Sequence, residues 1–366
     1  MNYGQENDRF KLMPSGAVVQ HHFCFFLHDL MVRVLAGSES RRVANVRIEF
    51  RDEEDRKKYL ASNDPISFCL ETGRENIAKQ IVLNQIVIPL FSDILHFIYE
   101  AMKALEKRKF TVAFALLRKP LKYDLLLATW LLADPEDFYV RLKTSPADHL
   151  EVGNLSRERR MELIDSALSQ MDNRAMYSGK LIYDMVFNRN NPRGLAIYFD
   201  KAAHPVTSYG KQMRTESLNL NFIFKNPADD DVYENVYFAL AHLFSYLAFL
   251  QIALLRTMAS VIPTYVNWMV LVVLGTYEAL FGDGSSNCID EVNETFGELL
   301  KCAACKKSIL LSNEVAPAFY MDELIKCVNC GEEQTFPLFW LMGSGDRVTV
   351  KVEPGQGTSD SGQVAT

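Results

Sequence analysis

Four of the chain's seven cysteines form two pairs near the C-terminus. Two residues separate Cys302 from Cys305, two separate Cys327 from Cys330, and 21 residues lie between the pairs. A two-residue spacing lets one tight turn aim two sulfurs at the same ion, and two such turns complete the tetrahedron that Zn²⁺ takes in structural sites. The gap is slightly longer than the roughly 15–20 residues typical of four-cysteine zinc sites. The spacing therefore predicts a structural Zn²⁺ bound by these four cysteines.

The residues beside the cysteines favour the same chemistry. Lys306, Lys307 and Lys326 carry positive charge next to the sulfurs, which favours thiolate over thiol. Gly331 follows the last cysteine, where a left-handed residue is often needed. We expect residues 308–311 and 320–325 to pair as strands, with a further strand over 334–341.

Residues 299–345 resemble the zinc ribbon, a short β-hairpin fold with two cysteine knuckles. The resemblance is carried by CAAC and CVNCG. It implies that the metal is structural, since four thiolates leave no open position for a reacting water. The first knuckle, CAACKK, lacks the glycine or proline that such knuckles often carry.

The charge balance argues against a protein that coats nucleic acid. The chain has 39 basic and 46 acidic residues among 366, a net charge of −7. Residues 298–352 alone contain six basic and seven acidic side chains. Phosphate contacts dominate nucleic-acid affinity, so a surface built for them is normally basic. Nucleic acid is therefore not the favoured partner.

The elements that must position the cysteines are mostly helices. Apolar residues recur at helical spacing through most of the chain, with prolines at Pro89 and Pro120 inside two such segments. We predict a mainly α protein with a large helical domain at 10–298, in one body or in two lobes at 10–150 and 151–298. A small β zinc-ribbon module at 299–352 and a disordered tail at 353–366 follow.

Residues 236–281 are the most apolar part of the chain. Two stretches of 21 residues lack Asp, Glu, Lys and Arg, and Arg256 separates them. About 20 apolar residues can span a bilayer, but polar side chains such as His242, Gln251 and Asn267 interrupt these stretches. A hairpin with Arg256 at a cytoplasmic tip would also place the cysteines outside the reducing compartment. Buried core helices are the favoured interpretation, and a membrane hairpin is the alternative.

Two further groups of residues could do chemistry. His21 and His28 face the same way on a predicted helix, but no HExxH-type carboxylate pattern accompanies them. Arg118 and Lys119 lie inside an apolar segment, with Lys122 and Asp124 close behind. Buried cations need partners, so we expect a structural ion-pair network there, with an anion pocket as the alternative.

The segment LLRKPLKYDLLLATWLL, together with KAAHPVTS at 201–208, faintly resembles the helical HEPN-like superfamily. Nuclease members of that superfamily carry an Arg followed four to six residues later by a His. No such pair occurs here, since seven residues separate Arg141 from His149. The resemblance implies a helical fold and argues against RNase activity.

These observations predict a zinc-binding, cytoplasmic helical protein. Its predicted role is a non-enzymatic interaction or assembly module that binds a protein partner or a second copy of itself. One alternative is a defence-type effector acting on RNA, which would require Arg118, His204 or Arg214 to meet in one cleft. Another is a membrane-associated protein anchored through 236–281.

Overall fold

The computed structural model describes residues 9–344, apart from positions 63, 145, 173–175, 207–214, 216, 218–219, 221–229, 283 and 285. Within these residues the protein is mainly α-helical, with two short strands near the C-terminus, so the predicted fold class is confirmed. The predicted tail at 353–366 lies outside the described residues, as do residues 345–352 of the predicted zinc-ribbon module.

The first half of the chain forms long helices joined by short connections. Its helices are α1 (Ser15–Ser40), α2 (Glu53–Ser62), α3 (Pro65–Glu71), α4 (Glu75–Glu106), α5 (Phe110–Arg118), α6 (Leu125–Ala133), α7 (Pro135–Thr144) and α8 (Pro146–His149). A π-helical segment, Lys119–Asp124, joins α5 to α6, and a 3₁₀ turn, Val152–Asn154, follows α8.

The second half adds eight helices and the two strands. They are α9 (Arg157–Leu168), α10 (Gly179–Val186), α11 (Ala196–Ala203), α12 (Asp231–Arg256), α13 (Pro263–Phe281), α14 (Asn287–Phe296), α15 (Ala316–Asp322), β1 (Leu324–Lys326), β2 (Glu333–Thr335) and α16 (Leu338–Ser344).

The two internal prolines are accommodated differently. Helix α4 continues unbroken through Pro89. Around Pro120 the chain changes to π-helical geometry and then returns to the α-helix at Leu125. Proline has no N–H to donate, and a one-turn π segment lets the helix continue past this missing bond.

Helix α12 is the central element of the core. Twenty of its residues are buried, and it packs against α1 and α6. Its burial all round explains why polar residues are so sparse along it. A large hydrophobic cluster includes side chains from α1, α4, α6, α12 and α13 and also from the C-terminal module.

Three helices are long and apolar enough to cross a membrane by length and composition: α4, α12 and α13. In each helix we consider the most apolar window. The share of that window buried inside the protein is 39% in α4, 94% in α12 and 56% in α13. Almost all of that α12 window is thus enclosed by the rest of the protein.

The predicted strands form only in part. Residues 45–50, where alternating apolar and polar residues predict a short strand, contain none. Within 320–325, Leu324 and Ile325 lie in β1, whereas Tyr320 lies in α15. Ser308 makes only a single antiparallel bridge, to Lys301. The predicted strand at 334–341 is reduced to Gln334 and Thr335, and α16 begins at Leu338.

The C-terminal module packs tightly on α13. Gly275 lies against the ring of Tyr320, and a Cβ atom at position 275 would come within 2.5 Å of two ring carbons. Tyr320 is fully buried, together with Phe319 and Leu338 from the same module. A module of this size cannot bury a core alone, and α13 supplies the missing apolar surface. The boundary at 298/299 and the two lobes stay predictions.

Candidate metal centre

The first cysteine pair lies on a tight turn closed by backbone hydrogen bonds. The amide of Cys302 donates to the carbonyl of Lys307 at 2.9 Å, and the amide of Lys306 donates to the carbonyl of Cys302 at 2.9 Å. Inside the turn, the amide of Cys305 donates to the Cys302 sulfur at 3.4 Å.

The second pair repeats the same turn. The amide of Cys327 donates to the carbonyl of Glu332, and that of Gly331 donates to Cys327, both at 2.8 Å. Gly331 is left-handed with φ 77°, and Lys306 takes the equivalent position in the first turn with φ 61°. The glycine missing from CAACKK is thus replaced by a lysine in the left-handed region, a conformation that costs an L-residue about 1 kcal/mol.

The two turns bring all four sulfurs together. Cys302 and Cys330 have their sulfurs 3.5 Å apart, those of Cys305 and Cys327 are 3.7 Å apart, and all four lie within 4.8 Å of one another. A tetrahedral ion with bonds of about 2.3 Å to sulfur requires sulfurs about 3.8 Å apart. The donor set and its dimensions therefore fit a metal ion, and Zn²⁺ in particular suits four sulfurs.

One side chain ties the two turns to each other. Gln334, on β2, accepts from the amide of Ala303 at 2.7 Å and donates to the carbonyl of Lys301 at 2.9 Å. Strand β1 pairs antiparallel with β2, with Lys326 opposite Glu333. The short hairpin therefore fixes the second turn and positions Gln334 against the first.

The three lysines beside the cysteines bind other groups. Lys306 donates to the carbonyl of Ala303 at 2.7 Å, and Lys307 donates to Asn329 at 3.2 Å. Lys326 pairs with Glu333 at 3.6 Å.

Backbone amides, and not the lysine ammonium groups, are the donors that contact the sulfurs. The amide of Cys305 lowers the pKa of the Cys302 thiol, and the amide of Cys330 lowers that of Cys327 to about 6.

The raised pKa of Cys330 indicates that the cluster requires a positive charge. The amide of Glu332 favours the Cys330 thiolate, but the neighbouring sulfurs of Cys302, Cys305 and Cys327 outweigh it and raise the Cys330 pKa to about 12. Several negative sulfurs at this separation repel one another, and a bound dication removes the conflict. The arrangement is therefore suited to holding a cation.

The three other cysteines stay apart from this cluster. Cys24, Cys69 and Cys288 are buried in helices α1, α3 and α14. Burial raises the pKa of Cys24 and of Cys288, so both remain thiols. Cys24 and Cys69 have no cysteine nearby in the sequence, and their burial favours an interpretation of both as core thiols.

His21 belongs to a buried polar network that the sequence does not reveal. Its Nδ1 lies 2.6 Å from the Tyr237 hydroxyl, and its Nε2 lies 3.3 Å from Glu106. Arg9 and Lys103 also donate to Glu106, at 2.6 and 2.7 Å. His28 instead contacts its neighbour Asp29, so the two histidines share no site. Its contacts join residues up to 216 positions apart in the sequence, so no local sequence pattern predicts them.

The predicted ion-pair network near Pro120 is present. Lys119 pairs with Asp93 and with Asp124, the latter at 3.0 Å, and Lys122 lies 3.5 Å from Asp200. Arg118 donates to the Tyr123 hydroxyl at 3.4 Å.

The RNA alternative requires Arg118, His204 or Arg214 to meet in one cleft. His204 follows α11, and Arg214 lies outside the described residues.

Comparison of the chain with protein-family models, with curated proteins and with solved structures finds no match in any of the three. No relative supports the resemblance to the HEPN-like superfamily. Function must therefore be argued from the site itself.

Proposed function

We propose that the C-terminal module is a structural zinc centre whose ligands are Cys302, Cys305, Cys327 and Cys330. The observation that carries the proposal is the convergence of four sulfurs within 4.8 Å on two matching turns. Four thiolates close the coordination shell of Zn²⁺, so the ion stabilises the module and does no chemistry. Its binding energy would supply much of the folding energy that a small β-hairpin lacks.

Native mass spectrometry with a cysteine variant tests this proposal. We expect one zinc ion per wild-type chain and a lower occupancy in Cys327→Ser, since a hydroxyl is a poor substitute for a thiolate ligand. Cys69→Ser is the matched control, because Cys69 is buried in α3, away from the cluster. An unchanged zinc count in Cys327→Ser would refute the ligand assignment.

We propose further that the module presents a surface to a protein partner or to a second copy of the chain. Several of its large apolar side chains face solvent, with Leu310, Val328 and Trp340 exposed by 71%, 78% and 65%. Val328 lies between the two cysteines of the second turn, so the metal would fix its position. A rigid support of this kind lowers the entropic cost of binding.

We also propose a cytoplasmic location. Four-thiolate zinc sites suit a reducing compartment, and the burial of 94% of the apolar window of α12 supports a core helix over a membrane anchor. Recovery of the protein only from detergent-solubilised membranes would contradict this location.

A further inference from the structure

A cavity of about 580 Å³ lies in the helical region, in a set of elements separate from the four cysteines. Its wall is formed by the π-helical segment, the 3₁₀ turn, the start of α9, and the end of α10 with the loop that follows. Four cationic side chains line it: Lys122, Arg157, Arg160 and Arg189. In a chain of net charge −7, this concentration of positive charge requires an explanation.

Carboxylates in the cavity wall are fewer than these cations. Glu151 is the acidic residue among the side chains that line the cavity, and it accepts from the amide of Gly153 at 3.2 Å. Outside the lining, Asp200 pairs with Arg189 at 2.8 Å and lies 3.5 Å from Lys122, and the charge of Asp184 interacts with that of Arg157. The lining itself therefore carries four positive charges and one negative charge. Burial lowers the pKa of Lys122, which shows that its ammonium is partly removed from water.

Aromatic rings hold two of the arginines in place. The guanidinium of Arg157 lies over the ring of Tyr183 at 5.4 Å, and that of Arg160 over Phe187 at 4.7 Å. The two rings stack on each other with centroids 5.6 Å apart. A guanidinium that lies over a ring keeps its N–H edge available, so both arginines are ordered before a ligand arrives.

Arg160 has an additional constraint. Its Nη2 donates to the carbonyls of Val152 and Gly153, both at 3.0 Å, whereas its buried Nε has no hydrogen-bond partner among the described residues. An unpaired buried donor is costly. An acceptor oxygen from a ligand would relieve that cost.

We propose that this cavity binds a small phosphate-bearing molecule through its phosphate groups. Arginine guanidinium groups match phosphate oxygens in geometry, and a lining with four cationic side chains and one carboxylate favours an anionic ligand. The volume exceeds that of inorganic phosphate and is within the range of small-molecule sites. The two rings already lie under arginines, so recognition rests on the phosphate and not on stacking of a base.

Calorimetric titration of the full-length chain tests the site with defined probes. We expect pyrophosphate and ATP to bind with similar affinity, and adenosine not to bind. Arg157→Gln and Lys122→Gln should each weaken pyrophosphate binding about tenfold, the effect of losing one charge-assisted hydrogen bond. Arg193→Gln is the matched control, since Arg193 is an exposed arginine of the same loop that does not line the cavity. Its affinity should equal that of the wild type.

Three results would overturn the proposal. The first is the absence of pyrophosphate binding at millimolar concentration. The second is equal loss of affinity in Arg193→Gln and Arg157→Gln, which would indicate diffuse charge. The third is tighter binding of a single-stranded oligonucleotide lacking a terminal phosphate than of ATP, which would indicate a nucleic-acid surface. None of them depends on the zinc centre, so the two proposals can fail separately.

Discussion

Glu106 is a fully buried carboxylate at the meeting point of three helices. Arg9, His21 and Lys103 all donate to it, and the Tyr237 hydroxyl lies against the far nitrogen of His21. Burial lowers the pKa of His21, which favours the neutral form of the ring. In that form, a proton on Nε2 would be donated to the Glu106 carboxylate, and Nδ1 would accept from the Tyr237 hydroxyl. The side-chain nitrogens and oxygens of His21, Glu106 and Tyr237 thus each have a hydrogen-bond partner, as buried polar groups in a stable core require.

Replacing Glu106 with Gln tests the network. Burial alone would raise the pKa of Glu106, but hydrogen bonds from His21, Arg9 and Lys103 outweigh it and lower the pKa below its usual value. We expect Glu106→Gln to reduce the free energy of unfolding at pH 7 by about 1–3 kcal/mol. Urea denaturation measures this change, and Glu53→Gln, an exposed glutamate on α2, is the control.

The pH dependence of stability provides a second readout of the same variant. A carboxylate whose folded pKa is lowered stabilises the protein above its unfolded pKa of about 4.3, and that contribution is lost as the pH falls. The wild type should therefore lose stability more steeply than Glu106→Gln below about pH 4. Parallel curves for the two proteins would show that the Glu106 charge does not stabilise the fold.

Single residues differ in how far the sequence alone predicts their roles. The four cysteines are found from spacing, because the turn that aims each pair is local. The left-handed conformation of Lys306, with φ 61°, is not predicted by the sequence. A left-handed lysine is uncommon, and this one depends on the hydrogen bonds that close the turn. Glu106 lies 85 positions from His21, and only the packed helices bring the two together.

At the scale of elements, helix periodicity predicts most of the helical region well, and the short C-terminal elements poorly. Residues 320–325 are predicted to form a strand, yet Tyr320 is in α15, where it packs on α13. Burial of a large aromatic residue outweighs the local preference. The hairpin is limited to three residue pairs, with the second cysteine turn at one end and the end of α15 at the other.

Gly275→Ala tests the contact between α13 and α15. A Cβ at position 275 would come within 2.5 Å of the buried Tyr320 ring, so the module must shift. We expect a loss of about 1–3 kcal/mol in thermal or urea unfolding, as for other overpacked cores. Gly16→Ala on α1 is the control, because nothing lies within 4 Å of that position. The control should be neutral or up to about 1 kcal/mol more stable, as helix propensity predicts.

At the scale of the whole molecule, apolar surface is unevenly distributed. Helix α12 is almost completely enclosed, whereas the C-terminal module leaves Leu310, Val328 and Trp340 exposed. Hydropathy alone cannot separate a core helix from a membrane span, because both are apolar all round. Tertiary packing adds that α12 is enclosed by other helices, and the cavity lined by Lys122, Arg157 and Arg160 likewise exists only once four separate elements meet.

The interaction proposal is tested by charging the exposed tip of the second turn. We expect Val328→Asp to reduce capture of partner proteins, or self-association in light scattering, at least tenfold, since a carboxylate is costly to desolvate in an apolar interface. Leu60→Asp is the control, because Leu60 is 65% exposed on α2, away from the module. Equal behaviour of Val328→Asp and the wild type would refute an interface at this turn.

X-ray absorption at the zinc edge of the purified full-length protein tests the central claim most directly. Four sulfur ligands at about 2.3 Å are expected, with no nitrogen or oxygen in the first shell. Cys330→Ser should lower the sulfur count to three or abolish the signal. A wild-type spectrum with two or more nitrogen or oxygen ligands, or a protein that carries no zinc, would contradict the account.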